Sequence, residues 1–174
     1  FGAEISLGPE MKSTGEVLGI APEFSDALAK AFMGTGLKPD HPKRIFTSVK
    51  DADKEELVPV IRRFHDLGYE IYATDGTAEA LEKAAIPAKV VRKVEDGGDG
   101  PNGELELLRS GQIGLSIITP TQLGVKKSDG FLARRVAVES GIPCLTSLDT
   151  ASALLYALEN AHWDRLDVID IAKI

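Results

Sequence analysis

The chain of 174 residues is 43% hydrophobic and 27% charged, a composition typical of one globular domain, or of one domain plus a fragment. Its formal net charge of −7 argues against nucleic-acid and anionic-membrane partners, although a local basic pocket is compatible with it. The single cysteine excludes a disulfide within the chain, and the absence of any membrane-length apolar run or visible secretory signal predicts a cytoplasmic location.

Three kinds of residue that often carry chemistry are predicted to be structural here. The histidines, His41, His65 and His162, are scattered without metal-ligand spacing, so no metal site is predicted. Cys144 lies in an apolar context and is predicted to be a small buried side chain. Trp163, after the last helix, is predicted to be a packing residue.

The amino-terminal part is predicted to be distinct from the main domain. Residues 1–20 are rich in turn formers, which predicts irregular backbone. A helix is predicted over residues 22–32. Its predicted apolar face consists of Phe24, Leu28, Ala31 and Phe32. The predicted segments are an amino-terminal piece over 1–35, a linker over 36–43 and a domain over 44–174.

From Lys43 onward, strand and helix patterns alternate. The predicted strands cover residues 45–49, 70–73, 88–94, 114–119 and 143–146. The predicted helices cover residues 54–67, 76–84, 105–110, 129–140 and a last long segment from Asp149. Residues 168–171 are a candidate edge strand.

Several details of these helices are also predicted. Pro59 removes an interior hydrogen bond, so its helix either starts late or is kinked, and Gly68 ends it. Asp129 and Asp149 are predicted to cap the two helices that follow them. The side chains predicted to face inward are Leu132, Val136, Leu154, Leu155 and Leu158.

Five strand–helix units in succession predict an α/β fold, a Rossmann-like five-stranded parallel sheet flanked by helices. In such sheets, ligands bind beyond the carboxyl ends of the strands. The loops that follow the strands are therefore the places to look for a site.

The segment Thr74-Asp75-Gly76-Thr77 joins the second strand to a strongly helix-forming segment. A helix amino terminus offers unpaired N–H groups and the positive end of a dipole, and here a glycine and two hydroxyls accompany it. The stretch is either an ordinary capped turn or a cup for an anion.

Lysines from neighbouring loops favour the anion cup. Lys54 follows the first strand, Lys93 ends the third, and Lys126-Lys127 follow the fourth. Ammonium groups combined with hydroxyls and helix-end N–H groups are typical of phosphate binding. The coincidence of these groups at one sheet edge predicts a phosphate site.

The motifs Ser48-Val49-Lys50-Asp51-Ala52-Asp53-Lys54, Ala73-Thr74-Asp75-Gly76-Thr77-Ala78 and Gly141-Ile142-Pro143 resemble those of methylglyoxal-synthase-like domains. Residues 6–19 resemble the end of the second ATP-grasp unit of carbamoyl phosphate synthase large subunits. Together, these two resemblances cover nearly the whole chain. Residues 1–35 would then be the trailing ATP-grasp segment with a connecting helix, and the rest resembles the C-terminal allosteric domain of that bacterial family.

The resemblance implies a regulatory domain that binds nucleotide monophosphates, UMP as inhibitor and IMP as activator, and performs no catalysis itself. It implies a parent ATP-dependent ligase of pyrimidine and arginine biosynthesis, which uses ATP, Mg or Mn, and K, whereas the domain itself needs no cofactor. The implied partners are the rest of the large subunit and the small glutaminase subunit, and self-association stays open.

The resemblance also implies the site residues. Those matching the effector phosphate are Lys54, Thr74, Gly76, Thr77 and Lys93. Those matching the base and ribose are Ser48, Thr119 and Thr121. Thr119 stands where bacterial relatives have an asparagine, so a two-way hydrogen-bonding amide is lost and the base preference stays open.

Other functions are compatible with parts of the pattern. Gly97-Gly98-Asp99 resembles the loop of a true methylglyoxal synthase that carries its catalytic aspartate, but Lys50 replaces that family's histidine. The cyclohydrolase domain of the bifunctional purine enzyme shares two motifs, but its histidine-containing basic loop has no counterpart. A docking domain with a lapsed pocket would bind no nucleotide. Phosphoribosyl pyrophosphate is a further candidate effector.

Overall fold

A computed structural model describes residues 15–38, 40–93, 103–120, 129–166 and 168–170. Helices and strands alternate along these residues after the first helix. In chain order they are α1 Phe24–Gly34, β1 Arg44–Ser48, a 3-10 turn Asp51–Asp53, α2 Lys54–Asp66, β2 Glu70–Thr74, α3 Asp75–Lys83, β3 Lys89–Val91, α4 Glu104–Arg109, β4 Leu115–Ile118, α5 Asp129–Glu139, β5 Cys144–Leu145 and α6 Leu148–Asn160.

The five strands form one sheet in the order β3-β2-β1-β4-β5, and every neighbouring pair is parallel. The predicted Rossmann-like five-stranded parallel sheet is therefore confirmed. β1 lies at the centre, where Ile45 is paired with Ile71 on one side and with Leu115 on the other. The strand order reverses between β1 and β4, which is the switch point where ligands bind in such sheets.

Side chains of the central strands are buried on both faces of the sheet, because successive residues of a strand point to opposite sides. Ile45 and Ile71 belong to a core that α2, α3 and α6 cover, with Phe64 and Leu81 fully buried. Phe46 belongs to the opposite core, which α4 and α5 cover. The helices on both faces are those that the alternating pattern predicted.

The cap of α6 differs from the prediction. Ser147, not Asp149, is its N-cap: the backbone of Ser147 is extended and its side chain accepts a hydrogen bond from the Thr150 N–H at 3.2 Å. Asp149 lies inside the first turn of the helix. The predicted cap was wrong because an N-cap needs extended backbone, and Asp149 is already helical.

The apolar faces of two helices are also rotated from their predicted positions. Leu132 is 36% exposed, so its predicted inward position was wrong, and the buried face of α5 consists of Ala133, Val136 and Ala137. In α1, Phe24 is 67% exposed, and Ser25 and Ala29 are buried, whereas Phe32 of the predicted face packs against the core.

α2 begins at Lys54 and contains Pro59, so the helix does not start late, and the other alternative, a kink at Pro59, stays a prediction. Gly68 with a φ of 87° ends the helix as predicted. Residues 168–170 form no strand, so the predicted edge strand is wrong for them, and residue 171 lies outside the described residues.

Part of the predicted amino-terminal piece and linker packs onto the sheet domain. α1 packs against α6, and Leu37 is buried in the core on that side of the sheet. The Asp26 carboxylate accepts a hydrogen bond from the His162 N–H at 2.8 Å. The boundaries at 35, 36–43 and 44 stay a prediction.

Trp163 packs against the same core, and its ring N–H donates to the Ala157 carbonyl at 3.1 Å, which confirms a packing role. Cys144 is half-buried in β5, and burial raises the pKa of its thiol. Across the described ranges, we find no helix with the length and apolarity that crossing a membrane would require.

Candidate functional site

The carboxyl ends of β1, β2 and β4 bring three predicted site residues to one edge of the sheet. Ser48 ends β1, Thr74 ends β2, and Thr119 directly follows β4. The Thr119 N–H donates to the Ser48 carbonyl at 3.2 Å, so these two residues meet at the switch point. The arrangement follows from the parallel order of the strands.

Hydroxyl groups form a connected cluster at this edge. The Thr74 hydroxyl lies 3.2 Å from the Ser48 hydroxyl and 3.4 Å from that of Thr77. The Thr77 oxygen also accepts a hydrogen bond from the Val49 N–H at 3.3 Å. Thr77 is only 1% exposed, so its hydroxyl ties the loop after β1 to α3.

The amino terminus of α3 is not capped by a side chain. Thr74 occupies the N-cap position with extended backbone, but its side chain makes no capping hydrogen bond. Its hydroxyl points instead toward Ser48 and Thr77. The first N–H groups of α3 are therefore not used by this threonine, which suits an anion site better than an ordinary capped turn.

Lys54 reaches the start of α3 from the first turn of α2. A Cβ atom built on Gly76 would lie 2.9 Å from the Lys54 Nζ atom, so the ammonium group lies directly over the Gly76 backbone. The absence of a side chain at Gly76 leaves room for this approach.

Two aspartates near the hydroxyl cluster form ion pairs with neighbouring lysines. The Asp51 carboxylate lies 2.6 Å from the Lys54 Nζ atom, and Asp53 lies 3.4 Å from that of Lys50. The hydrogen bond from Lys54 and then its charge hold the pKa of Asp51 below its usual value, with a further contribution from the charge of Lys93. The edge therefore carries both positive and negative groups.

Lys93 follows β3 and is half-buried. It forms no ion pair with any residue that the structure describes. Its charge contributes, after Lys54, to the lowered pKa of Asp51.

Thr119 is buried, and its hydroxyl accepts a hydrogen bond from the Lys50 N–H at 3.2 Å. This bond fixes the loop after β1 against the end of β4. Thr121, the Lys126-Lys127 pair and the Gly97-Gly98-Asp99 loop lie outside the described residues.

Cavities lined by described residues lie elsewhere in the molecule. One of about 360 Å³ lies beside Tyr72, Val91 and Leu107, and another of about 180 Å³ lies beside Tyr69 and Trp163. No residue of the candidate edge lines either cavity. Among the described residues, no group of three or more His, Cys, Asp or Glu side chains could hold a metal ion.

Sequence reasoning assigned no role to Asp51 or to the backbone N–H groups of Val49 and Lys50. The spacing of three residues between Asp51 and Lys54 could have indicated an ion pair in a helical turn. The two N–H contacts depend on how β1 meets α3 and β4, which no local pattern contains.

The sheet order, the switch point and the helix that starts directly from β2 define a Rossmann-like α/β domain with its candidate site at the carboxyl edge. The chain belongs to the family described as MGS-like domain, whose sequence model matches residues 56–146.

Two curated relatives resemble the chain over nearly its full length. It is 55% identical to a carbamoyl phosphate synthase large chain of Lachnoclostridium phytofermentans and 50% identical to one of Agathobacter rectalis. Each match covers 99% of this chain but only 16% of the relative. The chain thus corresponds to a small part of those proteins.

A solved structure agrees with the fold. The crystal structure of methylglyoxal synthase from Elizabethkingia anophelis matches with a TM-score of 0.52, over 66% of this chain and 79% of that chain. The sequence identity is 22%, so the likeness concerns the fold alone.

Proposed function

We propose that the chain is the effector-binding domain of a carbamoyl phosphate synthase large chain and that it binds nucleoside monophosphates such as UMP and IMP. The near-complete coverage of this chain at 55% and 50% identity supports the assignment to that protein. The remainder of the large chain, the glutaminase subunit, the cytoplasmic location and the parent's use of ATP, Mg or Mn, and K belong to the same proposal.

The position of the Lys54 ammonium group over Gly76, at the start of α3, carries the proposal. A phosphate there would meet backbone N–H groups, the positive end of the helix dipole and an ammonium group together. Lys93 would add a second positive charge from the neighbouring strand. These are the donors that a phosphate requires, and they come from three separate elements.

The hydroxyls would have different roles. Thr77 and Thr119 each accept a backbone N–H, so each can still donate its own proton to a ligand. The Thr74 hydroxyl lies within reach of Ser48 and Thr77 and would orient them. Ser48, Thr119 and Thr121 are proposed for the ribose and base.

The base preference would not depend on Thr119 alone. A hydroxyl donates one hydrogen bond and accepts through two lone pairs, and one lone pair of Thr119 here holds the Lys50 N–H. Its proton and one lone pair would remain for the base, so Thr119 could meet either a carbonyl oxygen or a ring N–H. Uracil and hypoxanthine both carry these two groups, so Thr119 alone does not select between them.

Calorimetric titration of the 174-residue chain with UMP, IMP and phosphoribosyl pyrophosphate tests the proposal. Uridine and inosine serve as controls because they lack the phosphate. We expect binding of at least one phosphorylated ligand and much weaker binding of the nucleosides. No binding of any phosphorylated ligand would overturn the effector function and favour a docking domain.

Methylglyoxal synthase is the second candidate, because the solved structure that shares the fold has that name. Lys50 lies after β1 in place of the histidine expected of such an enzyme, so we propose that the domain has no lyase activity. Incubation with dihydroxyacetone phosphate should yield no methylglyoxal above background. Methylglyoxal formation that disappears in Asp99→Asn would contradict this proposal.

The same absence of turnover is proposed for carbamoyl phosphate synthesis. The chain incubated with ATP, bicarbonate and glutamine should form no carbamoyl phosphate, because it matches only 16% of its curated relatives. Detection of carbamoyl phosphate by trapping with ornithine and a transcarbamoylase would contradict it.

A further inference from the structure

Asp51 forms an ion pair with Lys54, the lysine that the proposed function assigns to the effector phosphate. Its carboxylate lies 2.6 Å from the Lys54 Nζ atom, within the 3-10 turn that joins β1 to α2. The Asp51 side chain is 95% exposed, whereas that of Lys54 is 25% exposed. The pair thus joins a solvent-facing carboxylate to a more enclosed ammonium group.

The same ammonium group lies over Gly76 at the amino terminus of α3. The Asp51 carboxylate is therefore next to the place where a phosphate would be bound. The charge of Lys93 also lowers the pKa of Asp51, by less than the hydrogen bond and the charge of Lys54 do. A negative group of the protein thus contacts one of the two proposed phosphate-binding lysines and is influenced by the other.

We infer that Asp51 is an internal competitor of the effector phosphate for Lys54 and that it weakens effector binding. This inference rests on the proposed function. Either the carboxylate leaves Lys54 when a phosphate binds, or it stays and two negative groups lie side by side. The first alternative costs the ion pair of Asp51 with Lys54, and the second costs the repulsion between two negative charges at close range.

The adjacent ion pair provides a matched control. Asp53 lies on the same 3-10 turn and pairs with Lys50 at 3.4 Å. Removal of its charge changes the net charge of the turn by the same amount without releasing Lys54. If the two substitutions change the affinity by different amounts, the difference is due to the contact with Lys54 and not to the overall charge.

The test is calorimetric titration of the intact chain with UMP and IMP, at one ionic strength, for wild type, Asp51→Asn and Asp53→Asn. Asparagine keeps the size of the side chain and removes its charge. We expect Asp51→Asn to tighten binding by about two- to fivefold, the range of an exposed ion pair. Asp53→Asn should change the affinity by clearly less.

A double-mutant cycle with Lys54→Ala makes the test specific. Without Lys54 there is no ammonium group to compete for, so Asp51→Asn should have no larger effect than Asp53→Asn in that background. Circular dichroism spectra that match wild type would show that the variants fold.

The outcomes separate this inference from the proposed function. If wild type binds a nucleotide and Lys54→Ala weakens it, but Asp51→Asn binds equally or less tightly, the competitor role is wrong and the effector site stands. If neither wild type nor Asp51→Asn binds UMP or IMP, the effector site itself is wrong, and the inference falls with it.

Discussion

Lys93 differs from Lys54 in its surroundings. Lys54 pairs with Asp51, whereas Lys93 forms no ion pair with any described residue. In the proposed site a bound phosphate would pair with Lys93, and charge-assisted hydrogen bonds contribute about 1.5–3 kcal/mol where solvent is excluded. The proposed binding free energy should depend strongly on this side chain.

We predict that Lys93→Ala weakens nucleotide binding by about tenfold or more, since about 1.4 kcal/mol corresponds to one decade in affinity. Lys83→Ala is the control, because Lys83 lies at the opposite end of α3 and pairs with Glu79. Calorimetry measures both variants. Equal affinities for Lys93→Ala and wild type would exclude Lys93 from the site.

Thr77 is expected to matter for folding as well as for a ligand. Its buried hydroxyl accepts the Val49 N–H, so Thr77→Val removes the acceptor of a backbone donor while it keeps the shape. We predict a loss of about 1–3 kcal/mol in the free energy of unfolding, measured by urea denaturation. Thr77→Ser keeps the hydroxyl, so its free energy of unfolding should fall by less. Equal decreases in the two variants would contradict the role of this hydrogen bond.

At the level of elements, two of the three helices on one face of the sheet begin in different ways. α6 has a side-chain cap at Ser147, and α3 has none at Thr74. Both residues have extended backbone at the N-cap position, so the difference lies in where each hydroxyl points. The Thr74 hydroxyl contacts neighbouring hydroxyls and not its own helix.

Ser147→Ala is predicted to lower the free energy of unfolding by about 0.5–2 kcal/mol, the usual cost of a lost N-cap. Asp149→Asn removes only a charge near the helix dipole and should cost about 0.3–1 kcal/mol at low salt. Urea denaturation at low and high salt separates the two effects, because only the second is screened. A salt-dependent loss for Ser147→Ala would argue against the cap.

The contact between α1 and the segment after α6 predicts a pH dependence. The hydrogen bond from the His162 N–H is the largest cause that lowers the pKa of Asp26 from its usual value of 3.8, and the side chain and charge of His162 add to it. A carboxyl whose pKa is lower in the folded state stabilises that state above its unfolded pKa. This stabilisation is lost as the pH falls through the folded pKa.

We therefore predict that Asp26→Asn is less stable than wild type at pH 7 and that the difference disappears below pH 3.8, as Asp26 becomes protonated. Urea unfolding followed by the fluorescence of Trp163 measures both proteins across this range. A constant difference at every pH would show that the charge of Asp26 is not involved.

Much of the element pattern could be predicted from sequence. Strand residues such as Ile45 and Ile71 are β-branched and alternate with other side chains, and Gly68 marks the end of α2. The caps and helix faces were harder, because Ser147 became the cap and Leu132 stayed exposed. Both depend on backbone angles and packing partners that a local pattern does not contain.

For the whole molecule, the proposed function predicts regulation without catalysis. In a carbamoyl phosphate synthase large chain that carries this domain, Lys93→Ala should retain basal synthesis and lose the response to UMP and IMP. Regulation requires an effector that binds two states of the protein differently, so loss of effector contacts removes the response alone. Assays with and without effector measure it; an unchanged response in this variant would contradict the proposal.

The candidate site could be predicted only in part from the sequence. The parallel order of β1, β2 and β4 brings Ser48, Thr74 and Thr119 to one edge, as the rule for such sheets implies. The strand order placed Lys54 in the loop after β1, but its ion pair with Asp51 is a contact between side chains, and the sequence assigned no role to Asp51. The Lys54 ammonium group lies beside Gly76 because α2 packs next to α3.

The central position of β1 has a consequence for the order in which the chain can fold during synthesis. β1 is made before its two neighbours, and its pairing of Ile45 with Leu115 must wait until about 70 further residues have been made. Until β4 arrives, one edge of β1 has no partner, and closing so distant a pair is slow compared with forming the helices between them. The apolar strand that later becomes the most protected part of the sheet is thus the one that stays half-paired longest on the ribosome.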